Sequence, residues 1–154
     1  MTYPDRELQN FLAEHFVFLQ IDLSRHDPSL KELFREVKPF WAPLFRATAP
    51  GGIELRRWFG FLPPEALMAE LELVLAHDLM LRREDRPARD RLQRALEKYP
   101  RENAAPEIMF WMGVAGFKAG DRDFDELERI WRSLIERWPQ SSWASRADVF
   151  GLRS

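Results

Sequence analysis

Two segments of the second half repeat one another, and the repeat limits the fold more than any single motif does. LQRALEKYPRENAAPEIMF, starting at Leu92, aligns without gaps to WRSLIERWPQSSWASRADVF, starting at Trp131. Tyr99-Pro100 falls on Trp138-Pro139 and Ala105 on Ala144, so Pro100 recurs at Pro139 after 39 residues. A helical unit repeated at this period has an apolar face that it cannot bury alone, and stacking successive units buries it. The expected architecture is a series of helical hairpins, with helices over 86–99, 105–119 and 124–138 and a shorter piece over 142–150.

The first half is patterned differently. Asp5 to Glu14 reads as a short helix capped by Asp5, with Leu8, Phe11 and Leu12 on one side. Phe16 to Leu23, FVFLQIDL, is a short apolar run, which predicts a strand covered on both faces. Asp27-Pro28 starts a second helix with Leu30, Leu33, Phe34 and Val37 as its stripe, and Pro39 limits its extent. Leu44 to Phe59 reads as a β-hairpin, in which PLFRATA and IELRRWFG flank a Pro-Gly-Gly turn. From Pro63-Pro64-Glu65 onward the strand signals stop. Leu67, Leu71, Val74 and Leu75 form one face of a helix whose first turn tolerates proline, because its leading amides have no helical acceptor. The polar stretch RREDRPARDR, residues 82–91, marks the expected boundary between modules spanning 1–82 and 83–154.

Composition excludes several classes of function. With 154 residues and 45% hydrophobic content, the chain can build one domain or two small ones around a buried core. A net charge of -2 provides no basic surface for releasing counterions from nucleic acid. No apolar run is long enough to span a bilayer, and Met1-Thr2-Tyr3-Pro4-Asp5 does not begin a secretory signal, so a cytoplasmic setting without membrane contact is expected. The chain contains no cysteine, which removes disulfides, thiolate nucleophiles, zinc-cysteine sites and iron-sulfur clusters together.

Two resemblances rest on quotable residues. FVFLQIDL, the segment Ala42-Pro43-Leu44-Phe45, the turn Ala49-Pro50-Gly51-Gly52 and the stretch Gly60-Phe61-Leu62-Pro63-Pro64-Glu65 resemble the distal part of the thioredoxin-like fold. That resemblance implies an incomplete α/β domain with a small three-stranded sheet. It also implies a cis-proline at Pro43, beside exposed backbone that pairs with a substrate peptide. The Cys-x-x-Cys of that family and its central strand are missing. In the second half, Gly113, Gly120-Asp121, Phe124 and Pro139 resemble the landmarks of tetratricopeptide repeats, particularly those of bacterial envelope-assembly proteins. Asp121 to Asp123 lengthens the turn, and Leu127 and Leu134 stand where small residues are usual. This second resemblance implies an all-α region that binds peptides or proteins and catalyses nothing.

The remaining candidate chemistry favours structural roles. Asp121, Asp123 and Asp125 alternate as in a calcium loop, but Glu126 stands where glycine is needed and Arg132 where a bidentate glutamate belongs. Asp123 is instead expected to cap a helix, with Glu126 reaching back to complete a capping box. His15, His26 and His77 lack partners at i, i+4, so no metal is expected. Glu70 and Glu72 point to different helix faces and do not form an acid-base pair. Trp111, Trp131, Trp138 and Trp143 are at spacings suited to inter-helix packing. Phe40 and Trp41 differ, standing in a loop before Pro43 where an apolar patch would engage a peptide or another subunit.

These readings lead to a non-catalytic protein- or peptide-binding module without cofactor. Trp41, Ala42 and Pro43 are its expected contact residues, and self-association through a sheet edge or the Trp41 region is expected as well. The alternative is the downstream portion of a thiol-disulfide oxidoreductase whose Cys-x-x-Cys lies upstream of Met1.

Overall fold

The computed structural model describes residues 4–22, 28–120 and 122–151. Contacts divide the chain into two compact units, Met1–Pro64 and Glu65–Ser154. The division falls ahead of the polar stretch at 82–91, and the helix that begins at Pro64 belongs, past that residue, to the second unit.

In the first unit, helix α1 spans Arg6–His15 and starts as expected, with the Asp5 carboxylate accepting the Leu8 amide at 2.8 Å. A 3₁₀ turn over Pro28–Leu30 leads into α2, Lys31–Val37. The expected cap Asp27 lies outside the described residues, as do Leu23 and His26. Lys38 ends α2 in the left-handed region, at φ 47°, directly before Pro39. Strands β1, Leu44–Thr48, and β2, Glu54–Phe59, pair antiparallel with a register shift between Ala47 and Thr48. Gly51 and Gly52 make the turn at φ 96° and 87°, a conformation that a side chain would resist.

FVFLQIDL departs from expectation. Among the described residues the sheet has two strands, not three, and residues 16–22 belong to neither. Val17, Phe18 and Leu19 are 103%, 57% and 71% exposed. An apolar run records that a segment profits from cover, but it does not specify what covers it.

The register sets Arg46 directly opposite Arg57, an arrangement that is unfavourable unless it is neutralised. Glu54 neutralises it, accepting from Arg46 Nε at 2.8 Å and from Arg57 Nε and Nη2 at 2.9 and 2.6 Å. Arg46 also donates to Glu36 at 2.7 Å and Arg57 to the Val37 carbonyl at 3.0 Å, which ties the end of α2 to the hairpin. On the opposite sheet face Phe45 and Trp58 stack, with ring centroids 5.2 Å apart.

The second unit is helical. Helix α3, Pro64–Leu81, buries Leu67, Met68, Ala69, Leu71, Leu73, Val74 and Ala76, a wider set than the one expected face. Its buried positions spread well round the helix, while Glu65 is exposed and Glu70, Glu72 and Asp78 are partly exposed. Helices α4, Asp85–Lys98, and α6, Phe124–Arg137, reproduce the repeat. Each has 14 residues and ends on an aromatic residue whose amide donates one turn back, Tyr99 to Ala95 and Trp138 to Leu134. Ala88, Leu92 and Ala95 are buried on α4, and Leu127, Trp131 and Leu134 occupy the matching positions on α6. Helix α5, Ala105–Ala119, packs against both, and α7, Ser142–Ala147, followed by a 3₁₀ turn over Asp148–Phe150, packs on α6 and α5. The larger side chains of α6 find room because Gly113 of α5 faces Trp131 and Leu127.

Candidate functional site

Between α2 and β1 the chain forms a short apolar loop. Pro39 follows the left-handed Lys38, Phe40 and Trp41 come next, and the Ala42–Pro43 peptide bond is cis. The Pro43 carbonyl accepts the Gly60 amide at 2.9 Å, closing the open end of the hairpin; proline has no N–H to return the bond, but it stands one residue ahead of β1, so no bond between the strands themselves is interrupted. The loop is therefore anchored on both sides, by the Arg57 contact to Val37 and by the Gly60 contact to Pro43.

Its side chains point outward. Phe40 is 82% exposed and Trp41 67%, and Ala42 is exposed while Pro43 is half-buried. Phe40 rests on Phe59 of β2, with ring centroids 4.5 Å apart at an interplanar angle of 42°. This support was not visible from the sequence, because it depends on the hairpin register that brings Phe59 beside Leu44. The loop carries no acid, base or nucleophile. Its chemistry is that of an exposed apolar surface, suited to covering a side chain or a stretch of backbone from another molecule.

The other singled-out residues have structural roles. Asp123 caps α6, accepting from Asp125 and Glu126 amides at 2.9 and 3.2 Å. The capping box is not completed, because the Asp123 amide donates to the Gly120 carbonyl and Glu126 instead accepts from Arg89 at 2.8 Å. Asp121 lies outside the described residues. His15 meets Phe11 edge-on, and His77 meets Trp111 at 4.9 Å between centroids. Glu72 pairs with Arg91. Trp131 is buried and stacks on Phe110, while Trp138 and Trp143 are half-buried beneath Arg137 and Arg146. Among the described residues no three His, Cys, Asp or Glu side chains converge, and no helix is long and apolar enough to cross a membrane.

Compared with protein-family models, with curated proteins and with solved structures, the chain matches none.

Proposed function

We propose that this chain is a non-catalytic, cytoplasmic protein- or peptide-binding module. In this reading it combines an incomplete thioredoxin-like layer with tetratricopeptide-like helices, and its contact surface is centred on Trp41, Ala42 and Pro43. The observation that carries the reading is the exposure of Phe40 and Trp41 on a loop pinned at both ends. A large exposed aromatic offers much apolar area for few rotatable bonds, which is why such residues dominate interface energetics. Self-association is proposed through the edge of the two-stranded sheet or the Trp41 region, and the exposed Val17, Phe18 and Leu19, outside both strands, offer a further apolar surface in the same unit.

The test is selection from a displayed random-peptide library against the full chain. Peptides should enrich whose binding falls about tenfold or more in Trp41→Ala, the loss expected of an interface anchor, and is unchanged in the exposed control Phe61→Ala. A library without enrichment, or binders indifferent to Trp41→Ala, would refute the assignment.

A further inference from the structure

Two features of the first unit are each incomplete, and each is the complement of the other. The first is the segment 16–22, which leaves α1 in extended backbone, with Phe16 at φ -134° and ψ 149°. It belongs to neither strand, and Val17, Phe18 and Leu19 stand in solvent. Paired as a strand, it would set Val17, Leu19 and Ile21 on one face and Phe18, Gln20 and Asp22 on the other.

The second feature is the outer edge of β1. Gly60 donates to the Pro43 carbonyl and Ala49 to the Ile53 carbonyl, so the chain faces its partner at both ends of the strand. Every second residue of an antiparallel pair faces the partner, which turns the N–H and C=O groups of Leu44, Arg46 and Thr48 away from β2. Among the described residues no strand lies against that edge, and a hairpin of two strands is by itself only marginally stable in water. The edge of β2 is a poorer template. From Ala47 to Thr48 the register advances one residue on β1 but two on β2, from Arg56 to Glu54, so Leu55 is the extra residue of a bulge. β2 also carries two adjacent arginines, Arg56 and Arg57, where β1 carries Arg46 alone. Bulges and charged side chains both discourage pairing.

We propose that residues 16–22 of one copy add as a third strand to the β1 edge of a second copy, and that the exchange is reciprocal. At about 3.3 Å per residue the segment reaches about 23 Å, enough to run the whole of β1 at about 17 Å. Val17, Leu19 and Ile21 then continue the sheet face on which Phe45 and Trp58 stack, and Gln20 and Asp22 continue the face that carries Arg46. Each chain supplies one strand and one edge, so a two-fold pair satisfies both and leaves no β1 edge for a third copy. The exchange rests on the self-association already proposed and gives it a strand, an edge and a stoichiometry.

The chain has no cysteine, so Thr48→Cys, at an exposed position, takes a single nitroxide label. Labelled chain without ¹⁵N is mixed with ¹⁵N-labelled parent chain, where only contact between copies broadens a signal. The amide signals of residues 17–21 should broaden more as concentration rises, and sedimentation should level off at the mass of a dimer. Phe18→Pro/Leu19→Pro, at two exposed positions, removes one N–H from each side of the segment and should weaken dimerisation about tenfold or more. Trp41→Ala should leave it unchanged. A monomer at every concentration would overturn the exchange and the self-association together. A dimer without broadening at 17–21, one indifferent to the proline pair, or one lost in Trp41→Ala would overturn the exchange alone.

Discussion

The indole of Trp131 closes over Gly113, donating its Nε1 hydrogen to the Phe110 carbonyl at 3.2 Å, and a Cβ on Gly113 would come 2.9 Å from that nitrogen. Leu127 stands 3.2 Å from the same point. Alanine at 113 would gain about 1 kcal/mol of helix propensity but would have to displace a buried ring and a buried leucine. Gly113→Ala is therefore expected to lower stability by about 1–2 kcal/mol in urea denaturation. Gly116→Ala meets only the ends of side chains, Arg89 at 3.3 Å and Glu126 at 3.7 Å, and should leave stability equal or slightly raised. Equal effects at the two positions would contradict this account of the α5–α6 contact.

Glu54 titrates below the ordinary carboxylate range, chiefly because Arg57 hydrogen-bonds it, with Arg46 adding to the effect and desolvation partly opposing it. A carboxyl whose folded pKa is depressed contributes stability above its unfolded pKa and loses that contribution as pH falls through the folded value. Glu54→Gln should cost about 1 kcal/mol at neutral pH and less at high salt, because the cluster is partly solvated. The difference from the parent chain should shrink toward zero in acid, below the depressed pKa, when denaturation is repeated across a pH series.

Trp41→Ala removes an exposed ring and should change thermal stability by no more than about 0.5 kcal/mol. Phe40→Ala also forfeits the Phe59 contact and should cost up to about 1 kcal/mol. Differential scanning fluorimetry on both variants separates the ring that supports the loop from the ring that is only displayed.

The exposed apolar side chains of Val17, Phe18 and Leu19, added to the open edges of the hairpin, should draw copies of the chain together. Light scattering is expected to show a mass that rises with concentration in the micromolar range and returns to the monomer value in Val17→Lys/Leu19→Lys. A constant monomer mass in the parent chain would remove this expectation.

The helical half was readable from the sequence because its punctuation is local. Pro100 and Pro139 mark where α4 and α6 have ended, and Asp123 caps the second of them, so the repeat predicted both helices to within a residue or so. The hairpin was similarly announced by Gly51 and Gly52. The fate of Phe16 to Asp22 was not legible, since apolar periodicity measures an appetite for cover and not the presence of a partner. The Glu54 cluster and the Phe40–Phe59 contact depend on strand register, and the partner of Glu126 depends on α4 lying beside α6. None of these is written within a single segment.

Among the described residues of Met1–Pro64, only Leu8 and Ala49 are buried apolar residues, whereas each helix from α3 to α7 buries apolar side chains, and those of α5, α6 and α7 form one core. In deuterated water the hairpin amides should therefore exchange through small, frequent openings, while those of α5 should retain their protons until the whole helical array comes apart. The same sequence would then combine a fixed scaffold with an adaptable handle.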